Sequence, residues 1–225
     1  SASSSSIKSV DPLEDSQSKW VGLRSITWQD PTGRERHWET SCRKTKKGEA
    51  DAVAICCLIT RPSTREDPEL LLVSQYRPPV AVEGGKSTTG LVIEMPAGLI
   101  DAGEEGDEGT RRAALRELRE ETGYGNPDNA GSEDVQVVEL SPLMYNDPGM
   151  STSTMKLACV RIALKEDDTP DPVAEPDEGE FIEKRLVKLS GLYDELARLI
   201  KDEKYAVDAR LSHFAWGIKL AGMVG

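Results

Sequence analysis

The sequence predicts an α/β protein, an α/β/α layered domain preceded by a small N-terminal antiparallel β-sheet. Apolar runs at residues 52–60 and 70–75 predict buried strands, and an apolar stripe of helical period predicts a helix at 110–122, capped by Thr110. Strands mixed with a few helices favour layers packed on one sheet over a regular βαβ array. A length of 225 residues suits one domain with a small appendage.

Composition divides the chain into three parts. Residues 1–18 are Ser-rich and polar, which predicts disorder. Residues 19–48 hold two strand-like runs around the turn from Asp30 to Gly33, which is typical of an antiparallel pair with one solvated face. Residues 49–225 form the main domain. Its other predicted strands and helices lie at 91–94, 135–140, 155–164, 181–189, 192–201 and 209–220, with loops at 83–90 and 165–180.

Charge and cysteine content exclude several classes of partner. The formal net charge of −12 repels DNA and RNA, and no apolar run approaches the roughly 20 residues of a membrane span. A phosphate substrate would therefore need local cations, either a metal ion or clustered arginines. The four cysteines lack the spacing of a zinc site, and the adjacent Cys56 and Cys57 indicate reduced thiols in the core. This favours the cytoplasm, with the nucleus as a second possibility.

Three glutamates share one face of the predicted helix at 110–122. Glu117 and Glu121 are four residues apart, and Glu120 lies beside them. Carboxylates crowded in this way repel one another unless a hard divalent cation lies between them, and Mg²⁺ prefers such oxygen ligands. Taken alone, the three glutamates are more typical of a solvated helix laced with charges, so the flanking residues decide.

The flanking residues resemble the signature of the Nudix hydrolase family, G-x5-E-x7-R-E-U-x-E-E-x-G-U, in which U is bulky and apolar. Gly98 and Glu104 match its first part, and residues 116–124 match its last part. Eleven residues separate Glu104 from Arg116 where the family has seven, so either Glu104 or Glu108 is the first signature glutamate. The resemblance implies an α/β/α sandwich with a mixed central sheet. It also implies Mg²⁺ as the cofactor, with Mn²⁺ as the alternative.

Further blocks between residues 19 and 220 resemble the ADP-ribose pyrophosphatases of that family. They include residues 75–79, 93–101, 147–149 and 207–210. This resemblance implies hydrolysis of ADP-ribose and related nucleoside diphosphate sugars, with AMP and ribose 5-phosphate as products. Two departures, at residues 83–90 and between Gly123 and Asp147, could shift the substrate preference.

The resemblance implies that the metal ligands come from the signature region and from a later loop. Ala97 would bind the ion through its backbone carbonyl, and Glu180 would help to orient the attacking water. The implied metal ligands are Ala97, Glu117, Glu120, Glu121 and Glu180, and the implied catalytic residues are Glu117, Glu121 and Glu180. On composition alone, Glu180 is one more solvated acid in a mobile acidic loop at 165–180.

The resemblance also implies a set of substrate-binding residues. Arginines suit the paired oxygens of phosphates, and two tryptophans can sandwich an adenine whose amino group donates to a glutamate. These residues are Trp20, Trp38, Glu39, Arg43, Arg77, Leu99 and Asp147. Without the resemblance, the run from Arg43 to Lys47 is a solvated loop, and Arg77 is equally well a surface arginine at the end of a strand.

The family resemblance further implies a homodimer whose N-terminal strands, residues 19–48, cross to the partner. These strands would then serve both dimerisation and the base clamp, and Asp147 would contact substrate bound mainly by the other subunit. The alternative use of the tryptophans is packing alone. Two rival functions stay open: a Nudix hydrolase for another compound, such as an oxidised nucleotide, and a non-catalytic sensor of ADP-ribose. The intact signature glutamates argue against the sensor.

Overall fold

A computed structural model describes residues 5–84, 88–125, 134–167 and 171–224. The strands are β1 (Val21–Gln29), β2 (Glu35–Arg43), β3 (Ala52–Thr60), β4 (Glu69–Tyr76), β5 (Leu91–Glu94), β6 (Ala97–Leu99), β7 (Asp134–Leu140), β8 (Met144–Tyr145), β9 (Thr154–Ala163), β10 (Glu183–Lys188) and β11 (Ala206–Val207). The helices are α1 (Pro78–Gly84), α2 (Gly106–Thr122), α3 (Leu192–Glu203) and α4 (Ala209–Val224). Within these ranges no helix is long and apolar enough to cross a membrane.

The main sheet is built around β3, which is apolar on both faces. β3 pairs antiparallel with β4 and parallel with β9, so the sheet is mixed as predicted. The strand order is β11-β5-β4-β3-β9-β7, and β10, β6 and β8 extend β4, β3 and β9. One apolar cluster joins the sheet to α2, and a second joins its other face to α3 and α4. The predicted α/β/α layering is therefore confirmed.

The N-terminal hairpin of β1 and β2 stands apart from the main sheet. Its turn is closed by Asp30, whose backbone carbonyl accepts from the Gly33 amide at 2.8 Å. The Asp30 carboxylate accepts from the hydroxyl of Thr32 and the amide of Arg34, which lowers its pKa to about 2. We predicted one buried face, but within one chain almost every residue of the hairpin is exposed. Apolar side chains therefore remain uncovered on this sheet.

The hairpin is tied to the main domain through the loop between β8 and β9. The amide of Ser41 donates to the carbonyl of Met150 at 2.9 Å, and the amide of Thr152 donates to the carbonyl of Ser41 at 3.0 Å. The described part of the N-terminal segment, residues 5–18, contains no helix or strand. Its Asp15 nevertheless accepts from the Leu23 amide at 2.8 Å. The predicted disorder of residues 1–18 stays a prediction.

Two local predictions were wrong. Helix α2 begins at Gly106 rather than after Thr110, whose side chain is buried and donates back to the carbonyl of Gly106 at 2.8 Å. The end of α2 is as predicted, because Gly123 adopts the left-handed conformation of a helix stop. The predicted loop at 83–90 overlaps the end of α1, since Pro78 and Pro79 begin a short helix, as proline does in a first turn. Residues 85–87 of that loop lie outside the described residues.

Candidate active site

The site is built where helix α2 crosses strand β6. Gly98 lies under the side chain of Glu117, and a Cβ atom on Gly98 would stand 1.8 Å from the carboxyl carbon of Glu117. Since real contacts are never so short, only glycine allows Glu117 to lie across this strand. The first and last parts of the sequence pattern therefore meet in space at Gly98.

Arg116 organises the carboxylates around it. Its guanidinium donates to both oxygens of Glu104 at 3.1 and 2.9 Å, to Glu117 at 2.8 Å and to Glu120 at 3.0 Å. A fifth bond reaches the carbonyl of Leu99 at 3.0 Å, which ties α2 to the end of β6. The hydrogen bond from Arg116 is the main reason that the pKa of Glu104 is lowered.

The structure also decides between the two candidates for the first glutamate. The side chain of Glu104 is 16% exposed and bound to Arg116, whereas that of Glu108 is 86% exposed. The additional residues form the first turn of α2. There Gly109 packs on the backbone of Glu104, and an added Cβ would meet the carbonyl oxygen of Glu104 at 1.9 Å. Glu104 therefore occupies the position that the spacing left open.

Glu121 is the most buried carboxylate of the cluster. It is 4% exposed, and one of its oxygens accepts from the amide of Ala97 at 3.1 Å. Burial, together with the smaller effect of the charges of Glu117 and Glu180, raises the pKa of Glu121 to about 8, although the hydrogen bond from Ala97 opposes this shift. Burial likewise raises the pKa of Glu117 to about 7, against the stabilising effect of Arg116. Several carboxylates thus share a poorly solvated space.

Glu180 joins this cluster from the acidic segment before β10. Its amide donates to the carbonyl of Asp177 at 3.0 Å, and its carboxylate accepts from the amide of Asp177 at 3.3 Å. The charge of Glu180 contributes to the raised pKa values of Glu117 and Glu121, so the three carboxylates are electrostatic neighbours. The fold brings together acids that are about 60 residues apart in the sequence.

These groups face a cleft of about 450 Å³. Of the predicted site residues, its walls include Arg43, Arg77, Ala97, Leu99, Glu117, Glu120 and Glu180. Arginines and carboxylates thus line a single cleft, an arrangement that suits an anionic ligand held together with a cation. The family model of the NUDIX domain matches residues 50–209 of this sequence.

This chain belongs to the NUDIX domain family. It is 38% identical over 209 residues to a Saccharomyces cerevisiae protein named ADP-ribose pyrophosphatase. The aligned region covers 92% of this chain and 80% of the yeast protein. This chain is 35% identical over 206 residues to a Mus musculus protein named ADP-sugar pyrophosphatase, covering 91% and 83%. A Nudix hydrolase of Schizosaccharomyces pombe is 38% identical over 210 residues, covering 93% and 90%.

Two arginines that line the cleft, Arg77 and Arg210, each form an ion pair with an acid to which the sequence assigned no role. Both Nε and Nη2 of Arg77 donate to one oxygen of Glu94, at 2.9 and 2.7 Å, and Glu94 is 8% exposed. Arg210 makes two bonds to the carboxylate of Asp208, at 2.8 and 2.7 Å. Against the burial that would raise it, the guanidinium of Arg210 lowers the pKa of Asp208. The signals for Glu94 were its place in the family-like block at residues 93–101 and its charge at the end of an otherwise apolar strand.

The other predicted substrate residues of this Nudix chain do not meet in the cleft. Trp20 lies in an adjoining pocket, and the indole nitrogen of Trp38 donates to the carbonyl of Gly149 at 3.0 Å. Trp20 lies beside Lys44, whose amide donates to its carbonyl, and Trp38 is six residues earlier on β2. At about 3.4 Å per residue, the backbones of Trp20 and Trp38 lie about 20 Å apart along the hairpin. In this chain the two indoles do not form a clamp, because Trp20 lies in the adjoining pocket and Trp38 is bound to Gly149.

Glu39 and Asp147 also lie outside the cleft walls in a single chain. Glu39 follows Trp38 on β2, so its exposed side chain points to the opposite face of the hairpin. Asp147 is exposed, and its backbone carbonyl closes a turn by accepting from the amide of Ser151 at 2.8 Å. Neither residue lines the cleft.

The carboxylates of the Nudix signature supply the oxygen ligands that a hard cation prefers, but their present positions do not form a complete coordination site. Within the described ranges, no three His, Cys, Asp or Glu side chains converge closely enough to hold an ion as they stand. Glu117 and Glu120 are instead held by Arg116. These residues nevertheless fit Mg²⁺ or a similar ion, which prefers oxygen ligands. Helix α2 carries several carboxylates on one face, Gly98 leaves space for the side chain of Glu117, and Glu121 is buried next to them.

Proposed function

We propose that this Nudix chain hydrolyses the pyrophosphate of ADP-ribose and related nucleoside diphosphate sugars, giving AMP and ribose 5-phosphate. The observation that carries the proposal is the cleft in which Arg43 and Arg77 lie with Glu117, Glu120 and Glu180. A diphosphate needs both cations that bind its oxygens and a place for a metal ion. The names of the yeast and mouse relatives, ADP-ribose pyrophosphatase and ADP-sugar pyrophosphatase, support the choice of substrate.

The proposed cofactor is Mg²⁺, with Mn²⁺ as the alternative. Its proposed ligands are Glu117, Glu120, Glu121, Glu180 and the backbone carbonyl of Ala97. When bound there, the ion would neutralise phosphate charge and lower the pKa of an attacking water. The raised pKa values of Glu117 and Glu121 support this assignment, because they reflect burial of the carboxylates and, to a smaller extent, repulsion between them.

The chain's own residues would then divide the work. Arg43 and Arg77 bind the oxygens of the diphosphate, and each added hydrogen bond to a developing negative charge lowers the barrier. Glu180 orients the attacking water from its loop, while Glu117 and Glu121 complete the catalytic set. Leu99 lines the same cleft, where it can pack against the nucleoside.

Glu94 is a positioning residue in this scheme, since it holds Arg77 by two hydrogen bonds. Replacing Glu94 with glutamine should lower kcat/KM by about tenfold, mainly through a higher KM, as is usual when a supporting partner is lost. Steady-state kinetics on ADP-ribose would measure this. The matched control is Glu69→Gln, which breaks a similar ion pair with Arg61 at 2.8 Å. Equal effects of the two substitutions would contradict the positioning role.

We further propose a homodimer that exchanges its N-terminal strands, residues 19–48. In one chain the hairpin exposes six large apolar side chains: Trp20, Val21, Leu23, Ile26, Trp28 and Trp38. So many exposed apolar groups on a small sheet are typical of an interface. A clamp made from Trp20 of one subunit and Trp38 of the other would also not require the two tryptophans of one chain to lie close together. Glu39 and Asp147 would reach the substrate in the same way.

Subunit mixing tests the shared clamp. Trp20→Ala and Trp38→Ala should each raise KM for ADP-ribose by about tenfold, because base stacking is worth about 1–3 kcal/mol. If the two variants are unfolded and refolded together, half of the dimers are hybrids with one intact clamp. About a quarter of the wild-type sites should then return at low substrate concentration. Mixtures without any gain over the separate variants would contradict a clamp made by two subunits.

A panel of substrates tests the function itself. We expect ADP-ribose to have the highest kcat/KM among ADP-ribose, other nucleoside diphosphate sugars and oxidised nucleoside triphosphates. An oxidised nucleotide as the best substrate would favour the rival Nudix activity, whereas tight binding of ADP-ribose without turnover would favour the sensor. The cytoplasmic or nuclear location and the absence of a nucleic-acid partner stay predictions from composition.

A further inference from the structure

The basic run that follows β2 forms one wall of a pocket next to the cleft. Arg43, Lys46 and Lys47 line this pocket of about 230 Å³ together with Trp20. Arg43, Leu99 and Asp101 line both the pocket and the cleft, so the two spaces are continuous. The sequence alone favoured a solvated loop for this run; Arg43, Lys46 and Lys47 are indeed exposed, but the fold brings them to one open pocket.

The charges of this pocket are not fully balanced. The ammonium of Lys46 donates to the hydroxyl of Thr154 at 3.1 Å and lies 3.7 Å from the carboxylate of Asp51. Asp101, the other acid of the pocket, lies 3.6 Å from Arg116. By contrast, the side chains of Arg43 and Lys47 have no hydrogen bond or ion pair with any described residue. In a chain whose net charge is −12, two such cations in one pocket form a local positive site that favours an anionic ligand.

The groups that line the cleft and the pocket indicate which part of a substrate the pocket could bind. The signature carboxylates occupy the cleft, Arg43 stands at the junction, and Trp20 and Lys47 lie in the pocket. A nucleotide with its diphosphate in the cleft and its base on Trp20 would place the nucleoside ribose near Arg43. A substituent on a hydroxyl of that ribose would then face Lys47.

We propose that Lys47 and its pocket bind a phosphate monoester on the nucleoside ribose of the substrate, in addition to the diphosphate. The substrate class is a nucleoside diphosphate sugar phosphorylated on a hydroxyl of the nucleoside ribose, and the 2′ hydroxyl is the position that we test. This inference rests on the proposed function for the placement of the diphosphate. A primary ammonium is a good point charge for a phosphate, and an exposed ammonium acts mainly on a group in direct contact with it because solvent screens it at longer range.

Equilibrium binding tests the pocket without requiring turnover. Titration calorimetry would compare AMP, ADP and adenosine 2′,5′-bisphosphate with the wild-type chain. We expect the bisphosphate to bind about tenfold more tightly than AMP, since one charge-assisted contact is added. Lys47→Gln should abolish that gain, whereas the control Lys201→Gln, an exposed position on α3, should keep it. A gain for ADP alone, or a gain unchanged by Lys47→Gln, would overturn the proposal.

Kinetics separate this inference from the proposed function. With ADP-ribose and its 2′-phosphorylated form as substrates, Lys47→Gln should lower kcat/KM about tenfold for the phosphorylated form. The value for ADP-ribose should change less than about twofold, because an exposed charge acts weakly on a distant diphosphate. Equal losses for both substrates would overturn the role of Lys47. Hydrolysis of neither substrate, with the gain in bisphosphate binding retained, would instead reject the proposed function and leave the phosphate site.

Discussion

Replacing Glu121 with glutamine is expected to reduce kcat for ADP-ribose by more than about 100-fold, since even the loss of a ligand's supporting partner costs 10- to 100-fold. Glutamine has nearly the same volume as glutamate, and its carbonyl oxygen can still accept from the amide of Ala97, which now binds Glu121 at 3.1 Å. The fold should therefore survive while the charge at the centre of the cluster is lost. Steady-state kinetics and thermal unfolding would measure the two effects separately.

Glu108→Gln is the matched control for this substitution. Glu108 lies on the same helix, but its side chain is 86% exposed and its ion-pair partner Arg111 is 3.8 Å away. We expect kcat and the unfolding temperature of this variant to stay close to those of the wild type. Retention of activity by Glu121→Gln, at a level similar to the control, would show that the buried carboxylate has no part in the reaction.

Gly98→Ala is the second substitution with a large expected effect. The new methyl group would overlap the carboxyl group of Glu117, whose three outer atoms all lie within 2.1 Å of the added Cβ. Glu117 would have to leave its position and its 2.8 Å bond to Arg116. We expect kcat to fall by about 100-fold or more, as when a partner that orients a ligand is lost, while stability changes little, because the displaced atoms are the far end of a flexible side chain.

Gly217→Ala provides the comparison, because Gly217 lies within α4 and an added Cβ there would meet nothing within 4 Å. Alanine should raise stability by about 0.5–1 kcal/mol, since it is the better helix former, and should leave kcat unchanged. Chemical denaturation and kinetics on both variants would reveal this contrast. Normal activity in Gly98→Ala would mean that the position of Glu117 over β6 is not required.

The parts of the site that depend on local spacing could be predicted from the sequence. Glu117 and Glu121 share a face because a helix repeats every 3.6 residues, and Gly123 ends that helix because it tolerates a positive φ. The choice between Glu104 and Glu108 was not local. It depended on which side chain the guanidinium of Arg116 reaches once α2 has packed on β6.

Contacts that depend on strand register were out of reach. Arg77 and Glu94 are 17 residues apart, and they meet only because β4 pairs antiparallel with β5. The start of α2 was misplaced for a similar reason, since Thr110 looks like a cap but is buried as the helix packs on the sheet. The separation of Trp20 and Trp38 likewise follows from the register in which β1 pairs with β2. The sequence predicted this antiparallel pair but not its register, so the relative positions of the two tryptophans could not be predicted.

The most direct test of the central claim is to incubate the protein with ADP-ribose and Mg²⁺ and to quantify AMP and ribose 5-phosphate. The same assay would be run after removal of the metal with a chelator, and again with Glu121→Gln. Our account predicts equal amounts of the two products, formed rapidly by the wild-type protein and lost in both controls. Full hydrolysis without metal, or an undiminished rate in Glu121→Gln, would contradict a metal-dependent reaction at the Nudix signature.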